Sequence, residues 1–303
     1  MSKLVYYGMV PTIDGTRYTV RNPFALLKDS GVIELTDGAR LHFDRESKKK
    51  MIEVIAFALT EGVRFGSSAG KWKILADNII ETPQGLKFYL ESFDSTIFGE
   101  TFLYDAHFVE FDLRDKTVIE AGAFVGDTAL YYASKGATVY SFEPDAWSYE
   151  LAVRNIALNA KSSSQITLRN YAIGHDGEMD FPVGLNGTGV PSTTDLRRGP
   201  GRVRSVSVAS ILKEFNIDEP YLLHLDIKGE EFKVVREPVV SKFKRVRIEY
   251  SPYLRAETDV RRRDLDVLLR RLRDSGFEHI RIFKHNDGRY DLSRHGTIDA
   301  RKE

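Results

Sequence analysis

The stretch from Val118 to Asn159 constrains this chain more than any other part of it. It reads VIEAGAFVGDTALYYASKGATVYSFEPDAWSYELAVRNIALN. The apolar pair Val118 and Ile119 ends at an acid, Glu120. A glycine turn with Gly122 and Gly126 follows, and helical spacing begins at Asp127. A second apolar strand, Ala137 to Phe142, ends at a second acid, Glu143. Strand, glycine turn, helix, strand and acid make a β-α-β unit of the kind that holds a nucleoside. The glycines let backbone approach a ligand closely, and the acid at the second strand tip can accept hydrogen bonds from two ribose hydroxyls.

The spacing in the turn narrows the ligand. A dinucleotide site wants G-x-G-x-x-G, because a pyrophosphate lies on the helix N-terminus. Here Glu120 precedes the turn and Asp127 follows it, with Gly122 and Gly126 four apart. Carboxylates on both sides repel a pyrophosphate and suit a cation, such as the amino group or sulfonium of S-adenosylmethionine.

These motifs resemble the core of the FkbM-type S-adenosylmethionine-dependent methyltransferases. The family pattern is an acid, any residue, G-A-N-x-G-D-T, then F-E-P after the second strand and N-x-x-L-N at the next helix end. This chain has Glu120, then Gly122-Ala123-Phe124-Val125-Gly126-Asp127-Thr128, then Phe142-Glu143-Pro144, then Asn155 to Asn159. The family's K-x-D-x-E-G-x-E resembles His224 to Glu231, with Asp226 and Gly229 in place. Phe124 stands where a small polar residue is usual, His224 where a lysine is, and Lys228 where a glutamate is. The resemblance covers about Asp115 to Tyr250.

The resemblance implies an α/β, doubly wound, Rossmann-like sheet of the class I methyltransferase type, mostly parallel with a C-terminal antiparallel hairpin. Alternating patterns agree, with strands expected at 117–121, 137–143, 166–171, 221–227 and 244–250. Helices are expected at 127–135, 145–159, 208–215, 229–236 and 257–275, and a final hairpin at 278–284 and 289–292 around Asn286-Asp287-Gly288. Residues 1–110 read as a small N-terminal α+β cap region, and 111–303 as the S-adenosylmethionine-binding domain. Within the cap, strands are expected near 18–22 and 32–35, a helix at 47–61, and a hairpin at 79–82 and 86–93.

The resemblance also implies roles. Glu120 faces the methionine amino group, Gly122, Ala123, Gly126, Asp127 and Thr128 form the turn, and Glu143 with Pro144 holds the ribose. Asn170, Tyr171 and Ala172 flank the adenine. Methyl transfer to a hydroxyl needs alignment of three atoms and removal of a proton. Asp226, at the carboxyl end of the fourth strand, is the first choice of base and also borders the cofactor. Lys228 and Glu249 are candidates to orient the acceptor. His224 lies about 7 Å deeper than Asp226 by strand rise and reads as a core histidine with a hydrogen-bond partner. Gly184 to Gly201, with Arg197 and Arg198, reads either as a lid that binds an anionic part of the acceptor or as the tip of a long surface hairpin.

Bulk properties exclude several classes. Lys+Arg and Asp+Glu both total 44, so no global field draws nucleic acid. The chain has no cysteine, hence no disulfide, thiol nucleophile or zinc–cysteine site. No metal site is expected, because no tight His/Asp/Glu cluster stands out. The first residues lack a signal-peptide core, no apolar run reaches about 18 residues, and a cytoplasmic protein without a membrane span is expected. The expected activity is O-methylation of a sugar, glycan or secondary metabolite. A tRNA or RNA acceptor is the close rival: tRNA guanosine methyltransferases share the first half but carry N-P-P after the fourth strand, where this chain has Asp226-Ile227-Lys228-Gly229. A non-catalytic binding module that keeps the fold is the rival from another class.

Overall fold

The computed structural model describes residues 20–35, 38, 40–61, 63–66, 70–75, 78–107, 109–110, 112–182, 200–227, 230–250, 261–283 and 296–303. The chain divides into two compact units, Met1–Phe108 and Val109–Glu303.

In the first unit, β1 (Gly31–Glu34) and β2 (Arg40–Phe43) pair antiparallel. Helix α1 (Lys48–Thr60) follows, and its Met51, Val54 and Ile55 are buried at helical spacing. An antiparallel meander then joins β3 (Lys73–Leu75), β4 (Ile79–Glu81) and β5 (Lys87–Tyr89). The strand expected to reach 93 stops at Tyr89, because Leu90–Ser92 form a 3-10 turn. That turn delivers Phe93 to an aromatic core. Its ring lies 5.4 Å from Phe57 and 5.0 Å from Phe98, on the short helix α2 (Ser95–Phe98). Phe88, Phe102 and Trp72 complete this core, which gives the unit its own apolar centre.

The second unit is built on one sheet. Its strands are β6 (Thr117–Ala121), β7 (Thr138–Phe142), β8 (Ile166–Arg169), β12 (Leu222–Leu225), β13 (Arg245–Tyr250), β14 (His279–Phe283) and β15 (Gly296–Arg301). Across the sheet the order is β14-β15-β13-β12-β6-β7-β8, with β15 antiparallel to both of its neighbours, β13 and β14. Between β8 and β12, β9 (Ala172–Ile173), β10 (Gly177–Pro182) and β11 (Pro200–Val206) make a small side sheet. The tip of that hairpin, with Arg197 and Arg198, lies outside the described residues.

The helices are α3 (Asp127–Ser134), α4 (Ala146–Ala157), α5 (Ala160–Ser163), α6 (Val208–Glu214), α7 (Glu231–Val234) and α8 (Arg261–Asp274). One sheet face is apolar: Ile119, Leu223, Leu225, Val246, Ile248 and Ile298 pack with Ile211, Phe232, Leu268 and Leu272 of α6, α7 and α8. β14 pairs with β15; the strand expected at 289–292 lies outside the described residues. Ile298 and Ala300 point into the apolar face, and this alternation selects β15 for the sheet interior. Among the described residues no helix is long and apolar enough to cross a membrane.

The opposite sheet face is polar at its centre. Ser141, Glu120, His224, Arg247, Asp299 and Arg281 sit side by side on six neighbouring strands. All but Arg281 are buried. Arg245, 1% exposed, donates to Asp299 at 2.6 Å and to Glu110 at 3.1 Å. Buried charge of this kind is tolerated only when paired.

Candidate active site

The turn after β6 is fixed from three directions. The N–H groups of Gly122 and Ala123 both donate to the Phe142 carbonyl, at 2.9 and 3.1 Å. The Phe124 N–H donates to Glu143 Oε2 at 2.8 Å. The Asn155 side-chain amide, fully buried on α4, donates to the Val125 carbonyl at 2.9 Å. This last contact explains the N-x-x-L-N element physically, since its first asparagine ties the next helix to the glycine turn.

Gly122 has φ +91, and a Cβ there would stand 2.3 Å from the Asp226 carbonyl oxygen. Only glycine lets the ends of β6 and β12 approach so closely. Phe124 also has a left-handed φ, +46, where asparagine is tolerated better than a bulky side chain. The turn's other bonds hold it in that conformation.

Four carboxylates surround this turn: Glu120, Asp127, Glu143 and Asp226. Glu120 is fully buried. Its Oε2 accepts a hydrogen bond from the Ser141 hydroxyl. Its Oε1 is buried without a hydrogen-bond partner, with His224 Nδ1 at 3.9 Å. Burial pushes the Glu120 carboxyl well above the usual range; the Ser141 bond opposes this, and the charges of Asp127, Glu143 and Asp226 add to it. Glu143 is held by two backbone donors, Phe124 N–H on Oε2 and Asp145 N–H on Oε1, both at 2.8 Å. Burial raises it from the ordinary 4.5 to about 7, against those two bonds and with the help of Asp145 and Asp226. Each Glu143 oxygen keeps a lone pair for a ligand hydroxyl. An orphaned buried carboxylate oxygen amid three further acids fits a ligand bearing an amino or sulfonium cation.

The remaining candidates lie around this turn and along the strand ends, except Lys228. Asp226 is half-buried beside Gly122, and its N–H donates to the Ala121 carbonyl at 3.0 Å. Glu249 is half-buried on β13, on the sheet face shared by His224, and its register partner on β15 is Thr297. Register therefore sets Gly122, Asp226 and Glu249 along one rim, at the carboxyl ends of β6, β12 and β13. Lys228 lies outside the described residues. Thr128 is buried next to Asp127 on the first turn of α3.

Along the next edge, the Asn170 amide donates to the carbonyls of Glu143 and Pro144, at 2.8 and 3.2 Å, and so braces the ribose-side loop. The Tyr171 hydroxyl accepts from Arg204 at 3.0 Å, whose guanidinium also lies 4.4 Å from the ring centre. Ala172 is buried in β9.

Sequence reasoning missed Ser141, Tyr132 and Arg247. Ser141 was within reach, since strand alternation puts it on the face of Glu120. Tyr132, whose hydroxyl lies 3.2 Å from His224 Nδ1, comes from α3 and has no local signal. One further cluster escaped as well. Glu278, His279 and Glu303 bring ligand-type atoms within 4.8 Å of one another, exposed at the sheet's edge strand.

Comparison with known proteins places the chain. The profile of the methyltransferase FkbM domain matches residues 120–283, more than half of the chain. No curated protein matches it. Among solved structures it is similar to the METTL16 MTase domain, at 13% identity, covering 92% of this chain and 88% of that one, with a TM-score of 0.44. It is similar to a chain of the fibrillarin/Nop5p complex at 13% identity, with 78% and 100% covered and a TM-score of 0.44. It is also similar to precorrin-6y C5,15-methyltransferase from Geobacter metallireducens GS-15, at 11% identity, with 63% and 81% covered and a TM-score of 0.34. From Glu120 through the hairpin strand β14, the chain belongs to the FkbM methyltransferase family.

Proposed function

We propose that the protein transfers a methyl group from S-adenosylmethionine to a hydroxyl of a sugar, glycan or secondary metabolite. The observation that carries this reading is the pair of buried carboxylates at adjoining strand ends. Glu120 keeps an unpartnered oxygen under the glycine turn, and Glu143 is fixed by two backbone N–H groups.

When bound, S-adenosylmethionine supplies an electrophilic methyl on a sulfonium. The residues of this chain do the rest. Glu120 holds the ammonium, and Glu143 holds the ribose hydroxyls. Asp127, Asp226 and the turn carbonyls favour positive charge nearby. Asp226, on the rim beside Gly122, accepts the acceptor's proton, while Glu249 one strand over hydrogen-bonds a neighbouring acceptor hydroxyl. Lys228 orients an acidic acceptor from the segment after Asp226.

Calorimetry tests the cofactor half: S-adenosylmethionine and S-adenosylhomocysteine bind, NAD does not, and Glu143→Ala weakens binding by roughly 1.5–3 kcal/mol. Mass spectrometry after incubation with methyl-labelled cofactor tests the acceptor half on small-molecule, glycan and tRNA pools. Label found only in tRNA removes the sugar, glycan and secondary-metabolite reading. Asp226→Asn lowers the rate about 10²–10⁴-fold while cofactor still binds; a wild-type rate leaves Asp226 a structural role.

A further inference from the structure

The polar row beneath the turn is unevenly charged, and the imbalance falls on Glu120. Every element packed against this carboxyl contributes a group. Ser141 on β7 donates one hydrogen bond. From α3 come Asp127 at its start and Tyr132 one turn on, the latter bonded to His224. The loop after β7 brings Glu143, and the end of β12 brings His224 and then Asp226. Three of these neighbours are acids. The one base among them is His224, whose Nδ1 stands 3.9 Å from Glu120 Oε1. The nearest fixed cation of the row, Arg247, stands with Arg245 on β13, two strands away, or about 10 Å by strand spacing. A lysine at position 224, as in the pattern this segment resembles, would bring a permanent cation next to Glu120.

A fully buried carboxylate with one unpartnered oxygen and like charges around it is costly to keep ionised. We propose that Glu120 holds a proton in the free protein and gives it up when an α-ammonium ligand binds, so that each binding event releases one proton to solvent. The exchange is balanced: the Glu120 O–H bond breaks, the proton leaves to water, and an N–H of the incoming ammonium takes its place at Oε1. His224 and Tyr132 are positioning residues. Bonded to each other, they set the deep side of Oε1, with His224 Nδ1 beyond hydrogen-bonding distance at 3.9 Å, and leave that oxygen open to the ligand. The inference rests on the S-adenosyl ligand reading above and adds a linkage to it.

Titration calorimetry of S-adenosylhomocysteine near pH 8, in buffers of different ionisation enthalpy, reads the proton count directly. Glu143 is largely ionised at that pH, since it titrates at about 7. The expected result is about one proton released per site, with affinity improving up to tenfold per pH unit while Glu120 is still protonated. Glu120→Gln binds more weakly and releases none. His224→Lys retains binding and releases none; should that variant not fold, Glu120→Gln still decides. Binding with no net proton release, or the same release from Glu120→Gln as from wild type, overturns the proposal. Absence of any binding fails the ligand reading itself, which is a different outcome from binding without release.

Discussion

Replacing Gly122 by alanine tests whether the close approach of β6 and β12 builds the turn. Two costs combine. The residue has φ +91, where an L side chain is strained by about 1–2 kcal/mol. The new Cβ would also stand 2.3 Å from the Asp226 carbonyl oxygen and 3.2 Å from its carbon. Both are backbone atoms at the carboxyl end of a central strand, so relief requires moving β12 against its neighbours. Forced shifts of that kind in a packed interior cost about 1–3 kcal/mol. The expected loss is about 2–5 kcal/mol, a large share of a typical domain's total stability. Gly276→Ala is the control within the same unit. Gly276 has φ +85, but its Cβ would meet only the flexible end of Lys302, at 3.6 Å, so it isolates the backbone strain. Urea denaturation of wild type and both variants gives the comparison. Gly122→Ala should lose clearly more than Gly276→Ala, and its surviving folded fraction should bind S-adenosylhomocysteine poorly. Equal losses in the two variants would refute the clash argument.

Three further outcomes follow from the geometry. Asn155→Ala leaves the Val125 carbonyl without its donor inside a fully buried site; it should cost about 1–3 kcal/mol in urea denaturation and loosen the turn to hydrogen exchange. Glu143 is raised from 4.5 to about 7, so its contribution to stability is fully present below about 4.5 and is lost as pH rises through about 7. Unfolding free energies of ligand-free wild type and Glu143→Gln should therefore diverge between pH 5 and 8, with wild type losing by up to about 3 kcal/mol, and a gap that moves the other way contradicts the burial argument. Asp299→Ala removes the 2.6 Å partner of the buried Arg245 and should cost about 3–5 kcal/mol in thermal or urea unfolding, whereas a cost under about 1 kcal/mol would show that Glu110 alone suffices.

The local elements of the cofactor half were legible in the residues alone. Apolar runs alternating with helical spacing marked five parallel strands and their order along the chain. The spacing of Glu120, Gly122, Gly126 and Glu143 marked one β-α-β unit, because strand, turn and helix there are set by neighbours within a few residues. Other features depend on contacts between residues distant in sequence, and folding alone brought them together. Ser141, Glu120, His224, Arg247 and Asp299 lie far apart in the sequence, and only the register of the sheet joins them into one row. Asn155 reads as a helix-end asparagine until α4 packs on the turn and its amide meets Val125. The need for glycine at 122 is visible only once the Asp226 carbonyl stands where a Cβ would be. The return strand at Gly296–Arg301 follows the same logic: a turn signal is local, whereas the pairing of this strand with β13 and β14 rests on burial of Ile298 and Ala300 against the sheet's apolar face.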